Sequence, residues 1–177
     1  LFELILGHPK LTVAAVHGAA VAGGGGLATA CDLGVTEPGS RVAYTEVKIG
    51  FLAAMVLTFL TRRVAGHVAR RMLLDPEMID GTRAVELGLA DELAADGEAV
   101  ITAVELARAV CAKASPSALA ATKALLNETV GLGWQEAMAT AVEANVRQRM
   151  HPECRRGVRA FLETKKTPDW LDEENDE

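Results

Sequence analysis

The sequence predicts an α/β protein in two parts: short strands alternating with small helices over residues 1–96, then a helical region over residues 97–177. Two observations carry this. The first part holds brief apolar runs, "LTVAAVHG", "DLGVTE" and "RVAYTE", bounded by glycine, proline or charge, as short buried strands are. From about Gly97 to Leu162 the apolar residues recur at helical spacing almost without interruption.

Taken in order, "LFELILGHPK" is the end of an amphipathic helix stopped by Gly7 and Pro9, and "LTVAAVHG" is a strand. After four consecutive glycines, Gly23 to Gly26, "GLATAC" leaves room for two turns of helix. "DLGVTE" and "RVAYTE" follow as strands around the turn "PGS", the second ending at Glu46. "AAMVLTFLTRRVAGHVARRMLL" is helical, with Gly66 as the break between two helices. "DGTRAVELGLADEL" is a short helix with Asp80 or Thr82 as N-cap and Gly88 as its stop, then a strand-like exit. The helical region is punctuated by "SPS" at 115–117, "GLG" at 131–133 and "HPE" at 151–153.

Composition narrows the class. Half of the 177 residues are hydrophobic and 24% are charged, as in globular chains. The net charge of −6 is local: Asp169–Glu177 holds six acids and no base, which leaves 18 of each sign elsewhere. A neutral body gives no case for nucleic acid as a partner. Cys31, Cys111 and Cys154 form no CxxC and no ligand-like spacing with histidine, which argues for a reducing cytoplasm and against disulfides or a metal site. The uncharged run Leu11–Cys31 has the length of a membrane span, but its five glycines, its histidine and its many alanines argue against one. No secretory signal is visible, and a start at Leu1 inside a helical pattern points to missing upstream sequence.

The glycine run admits three readings. A nucleotide phosphate loop fails, because Leu27 and Ala28 stand where a Walker loop needs Lys and Ser or Thr. Gly23, Gly25 and Ala28 can be fitted to GxGxxA with Glu46 downstream, but the helix is too short for a βαβ crossover. Close packing of a helix start on a sheet is the second reading. The third is an oxyanion site, in which glycine amides at a helix N-terminus stabilise charge developing on a carbonyl oxygen. Glu46, at the end of an apolar run, is a candidate base if buried and a plain surface partner of Lys48 if not. Arg62, Arg63, His67, Arg70 and Arg71 suit a phosphate but fit a solvated polar face better. His8, His17 and His151 have no triad-like company, and Trp134 and Trp170 read as packing anchors.

The segments "PKLTVAAVHGAAVAGGGGLATACDL", "AYTEVKIG", "MIDGTRAVELGLADEL", "AKASPSALAATKALLNE" and "RRGVRAFLETKKTPDW" together resemble the enoyl-CoA hydratase/isomerase (crotonase) family over nearly the whole chain. The resemblance implies stacked ββα units in a spiral, C-terminal helices that build homotrimers or hexamers, an acyl-CoA thioester substrate, and no metal or redox cofactor beyond the coenzyme A of the substrate. It implies that Gly23 supplies one of two amides to the thioester oxygen, with Gly24 beside the substrate. The second amide belongs to an upstream segment absent here, so the N-terminal third of the family's pattern is missing. Of the two glutamates typical of the hydratases, one falls at Glu46 and the other at Gly26. "FLAAMVLTFL" replaces the family's proline- and glycine-rich loop beside the acyl pocket, which makes Leu52 and Ala53 candidate acyl contacts. Lys166 stands where relatives carry a basic C-terminal motif near coenzyme A.

The expectation is therefore an enoyl-CoA hydratase using Glu46 and Gly23, with no membrane association. An enoyl-CoA isomerase with a single glutamate is the alternative, and a catalytically silent binding subunit of the same fold is a third.

Overall fold

The computed structural model describes residues 1–171. It divides into two compact units, Leu1–Leu6 with Thr12–Leu106, and Gly7–Leu11 with the chain from Ala107 onward.

In the first unit α1 (Phe2–Leu6) precedes β1 (Val13–Val16), β2 (Ala19–Val21) and α2 (Gly23–Ala30). Then come β3 (Leu33–Thr36), β4 (Arg41–Ala43), a 3₁₀ turn (Glu46–Ile49), α3 (Ala54–Arg63) and α4 (Gly66–Leu74). The unit closes with β5 (Ile79–Asp80), α5 (Gly81–Glu86), β6 (Glu92–Leu93) and the start of α6 (Ala99–Lys113). The first four strands alternate between two sheets. β1, β3 and β6 form one parallel sheet, while β2 and β4 pair in parallel in the other, with β5 antiparallel to β4. Gly18, at φ +71°, turns the chain from β1 into the second sheet, a backbone state that a side chain disfavours. The turn Glu37–Ser40, buried at both ends, does the same after β3, with the Ser40 hydroxyl donating to Val16 O at 2.8 Å. This is the stacked strand–strand–helix pattern implied by the resemblance.

The sequence anticipated most elements and misplaced three details. β2 lies within "HGAAVA", too short at three residues to register as a period. The second strand stops at Ala43, so Glu46 opens the 3₁₀ turn instead of ending a strand. Gly66 is not the helix break: α3 ends at Arg63 and Gly66 is the first residue of α4.

The core lies where α2, α3 and α4 cover the strands, around Tyr44, Val56, Phe59, Leu60 and Ala69. Leu60 is fully buried, worth about 1.5–3 kcal/mol for such a side chain. One partly buried polar hub follows α2. Arg63 donates through Nε to Leu89 O (3.1 Å) and through one terminal nitrogen to Cys31 O and Asp32 O (both 3.0 Å). Its other nitrogen meets Asp91 Oδ2 at 2.7 Å. The carbonyls past the end of α2 have no helical partner, and Arg63 supplies one. Arg63 is thus not part of the solvated face anticipated for the arginine cluster.

Gly81 marks the tightest approach in the unit. A Cβ there would lie 1.9 Å from the Glu37 carbonyl oxygen and 2.7 Å from Thr36 Oγ1. The N-cap is the anticipated Asp80, accepting from Arg83 N at 2.8 Å, and Gly88 at φ +77° ends the helix.

The second unit contains the end of α6 and three helices, α7 (Pro116–Thr129), α8 (Trp134–Arg149) and α9 (Pro152–Thr164). The three punctuation motifs are helix starts: Ser115 caps α7 before Pro116, Gly133 precedes α8, and His151 caps α9 before Pro152. Glu153 accepts from the Ser115 hydroxyl and from Ser117 N (3.0 Å), placing a carboxylate on the N-terminus of α7. Trp170 is a packing anchor as expected: its ring lies 4.4 Å from the Arg156 guanidinium. The acidic tail from residue 172 lies outside the described residues. Among the described residues, no helix is long and apolar enough to cross a membrane, and no cluster of His, Cys, Asp and Glu could hold a metal.

Two predictions follow from these contacts. Gly81→Ala must displace backbone, so urea unfolding should show a loss of about 2–4 kcal/mol; a variant as stable as wild type would contradict the close approach. Partial burial works against the Glu153 charge, but the bonds from Ser115 and Ser117 prevail and hold its carboxyl below the usual carboxylate range. A lowered folded-state pKa stabilises above the ordinary value and is lost as pH falls through the lowered one. Glu153→Gln should therefore lower the melting temperature at pH 7, and the gap to wild type should close as pH falls through and below the usual carboxylate range.

Candidate active site

The site is built at the C-terminal ends of the parallel strands β2 and β4. Their register pairs Val21 with Ala43, and Ala22 N continues the ladder by donating to Ala43 O at 2.8 Å. Ala22 then takes φ +51° and ψ −121°, a conformation costing an L-residue on the order of 1–3 kcal/mol. That turn sends the chain directly into α2. Its first two amides, Gly23 and Gly24, have no intrahelical acceptor, and Ala22 carries no side-chain cap. A Cβ at either glycine would meet nothing within 4 Å. Both residues are exposed, and their N–H groups stand at the positive end of a helix dipole.

The next two glycines do the opposite. A Cβ at Gly25 would lie 3.0 Å from Ala20 O, 3.2 Å from Ala43 O and 3.2 Å from the Tyr44 ring. A Cβ at Gly26 would lie 2.8 Å from Val56 Cγ2 and 3.1 Å from the Phe2 ring. Where the resemblance puts the second glutamate, the protein has hydrocarbon.

Behind this turn, Thr29 Oγ1 donates to Gly25 O at 2.8 Å and lies 2.5 Å from the Tyr44 hydroxyl. Both side chains are buried. Burial, opposed by the Thr29 bond and helped by the nearby Glu46 charge, pushes the Tyr44 hydroxyl up to about 12. Sequence reasoning passed over this pair, although Tyr44 is the only tyrosine of the chain and directly follows the short strand β4.

Glu46 follows Tyr44 by two residues and starts the 3₁₀ turn, whose end is set by Gly50 at φ +75°. It is half-buried, and its Oε2 is buried without a hydrogen-bond partner. The alternative of a surface pair with Lys48 is not what the structure contains. A carboxylate oxygen removed from water and left unpaired is costly unless something else comes to it.

The remaining candidates fall as follows. Leu52 is exposed and continues an apolar strip with Ile49, Phe51 and Met55, whereas Ala53 is buried in the core as the N-cap of α3. Gly24 also borders an open hollow of about 410 Å³ with Val16, Ala20 and Leu27, in whose wall Gly23, Glu46 and Leu52 take no part. Lys166 lies in the second unit just past α9, exposed, beside Arg159 and Glu163.

The family model of enoyl-CoA hydratase/isomerase matches residues 1–173. A Thermus thermophilus relative whose name places it among the enoyl-CoA hydratases is 44% identical over 163 residues, covering 92% of this chain and 64% of that protein. The (E)-benzylidenesuccinyl-CoA hydratase of Thauera aromatica is 36% identical over 123 residues, covering 67% of this chain and 48% of that one. The crystal structure of an enoyl-CoA hydratase of Mycobacterium smegmatis superposes with a TM-score of 0.86 at 29% identity, over 97% of this chain and 66% of that chain.

The packing at Gly26 is testable by itself. Gly26→Ala should cost about 1–3 kcal/mol by overpacking. In a Val56→Ala background the same substitution should cost much less, as read from a double-mutant cycle in urea. Equal costs in both backgrounds would show that Val56 is not what excludes a side chain there.

Proposed function

Since the chain belongs to the enoyl-CoA hydratase/isomerase family, we propose that it forms the part of an enoyl-CoA hydratase that carries one oxyanion amide and the acid/base. One observation carries this reading. Open amides at Gly23 and Gly24 and an unpaired, buried oxygen on Glu46 belong to the same end of β2 and β4.

In this mechanism the thioester oxygen of a 2-enoyl-CoA accepts from Gly23 N–H, with Gly24 close beside the thioester. Glu46 takes a proton from water as the water oxygen bonds to the β-carbon, and the pair of electrons of the double bond moves onto the thioester as an enolate. The amide and the helix dipole stabilise the negative oxygen. The α-carbon then takes a proton, from the Glu46 carboxyl or from water, and the sum is one water added. No redox or metal step is needed, and coenzyme A enters only as the substrate's handle. Leu52, with Ala53 behind it, would border the acyl chain, and Lys166 would meet the anionic coenzyme.

The hydrocarbon at Gly26 favours a second reading. One carboxylate with no partner suits proton transfer from the α-carbon of a 3-enoyl-CoA to its γ-carbon, which moves the double bond without water. Self-association as a homotrimer or hexamer is part of the proposal. It is supported by α7, α8 and α9, none of which fully buries a residue. It is also supported by the exposed stripe Trp134, Met138, Val142 and Val146, spaced four apart on α8 and continued by Met150 at its C-cap. A cytoplasmic location, with no membrane or nucleic-acid partner, completes it.

The test compares the full protein with Glu46→Gln on a 2-enoyl-CoA and a 3-enoyl-CoA. Hydration of the first, reduced about 10²–10⁴-fold by the substitution, is the expected result. Double-bond migration without hydration would establish the isomerase. No turnover of either substrate, with Glu46→Gln indistinguishable, would leave a binding subunit.

A further inference from the structure

We propose that Tyr44 and Thr29 are positioning residues: a buried hydroxyl tie that holds the Glu46 carboxylate and the Gly23 amide in one fixed relation. The proposal rests on the acid/base reading of Glu46. The tie has two bonds with a defined direction. Gly25 O has no proton to give, so Thr29 Oγ1 donates its single proton there at 2.8 Å. The 2.5 Å contact between Thr29 Oγ1 and the Tyr44 hydroxyl must then run from the tyrosine. Tyr44 keeps that proton at any working pH, because burial raises its pKa to about 12.

The placement gives the tie its consequence. One end is the first turn of α2, two residues beyond the Gly23 amide. The other is the residue that leaves β4, two residues before Glu46. Besides the ladder bond from Ala22 N to Ala43 O, this is the polar link that spans the two halves of the site. Tyr44 is 1% exposed and Thr29 6%, so neither hydroxyl is open to a ligand, and the tie acts on turnover through Glu46 and Gly23. Packing alone does not require the hydroxyls. A phenylalanine fills the same space, and a buried hydroxyl is costly unless it is bonded.

The experiment uses the full protein and steady-state kinetics on the enoyl-CoA that wild type turns over. Tyr44→Phe should lower kcat about 10–100-fold, the scale of a catalytic group displaced by a fraction of an ångström to an ångström. KM should stay within about twofold of wild type, since the tie makes no ground-state contact. Thr29→Val should behave like Tyr44→Phe, Thr29→Ser should restore most of kcat, and the double variant should be no worse than either single one. Thermal melts identify any variant whose loss is unfolding, and Thr29→Ser against Thr29→Val keeps the comparison valid if Tyr44→Phe folds poorly. Full kcat in Tyr44→Phe, or equal losses in Thr29→Ser and Thr29→Val, would overturn the tie while leaving the role of Glu46 intact. A wild type that turns over no enoyl-CoA, or an unimpaired Glu46→Gln, would overturn the acid/base reading and the tie together.

Discussion

The seating of α2 on the ends of β2 and β4 is the constraint on which the site depends. A helix can come this close to strand carbonyls only if the residue at the contact has no Cβ, and Gly25 meets that demand at 3.0 and 3.2 Å from two carbonyl oxygens. The strain at Ala22 follows from it, because the chain must reverse between the last ladder bond at Ala43 O and the first helical turn within one residue. The open amides of Gly23 and Gly24 follow in turn. A residue at φ +51° with no side-chain donor or acceptor offers them no cap, so the helix begins with donors that only solvent or a ligand can satisfy.

The far end of α2 is held with equal care by different means. The carbonyls of Cys31 and Asp32, just past its C-terminus, are collected by Arg63, whose side chain is only 13% exposed and whose other terminal nitrogen meets Asp91. Thr12 and Asp32 lock the adjoining strand start reciprocally, at 2.7 and 2.8 Å to the carboxylate and 3.0 Å back. The helix is eight residues long and would be marginal alone, so its position comes from these terminal fixtures and from packing against α3. Polar clamps at one end and absent Cβ atoms at the other leave it little freedom to shift. That rigidity is what a preorganised oxyanion donor requires.

Legibility in the sequence followed signal strength. The last three helices are marked by Ser-Pro, Gly-Leu-Gly and His-Pro boundaries, local signals that need no tertiary information, with Ser115 and His151 as side-chain caps. The Asp80 cap and the Gly88 stop were legible for the same reason. β2, with three residues, lies below the length at which a period exists, and Glu46 was placed on a strand because the apolar pattern runs on past the last ladder pair. At the site, the glycine run and Glu46 stood out as residues that break the apolar pattern. The division of the run into two open and two packed glycines did not, since it depends on Val56 and Phe2, far away in sequence. Nor did the burial of Arg63, which helical spacing alone assigns to the same face as its charged neighbours.

That division bears on the chemistry. A carboxylate at position 26 would start from a Cβ already in contact with Val56 and Phe2, so the space is not an empty socket awaiting a side chain. The site is asymmetric by construction: the Gly26 side is hydrocarbon, and under the proposed function the acid/base work falls to Glu46. A lone carboxylate must be basic enough to take a proton and, once protonated, acidic enough to return it. Exact placement then matters more than in a two-carboxylate site, where one group can hold the water while the other moves the proton. The bonds that fix Tyr44 to α2 lie where such placement would be controlled.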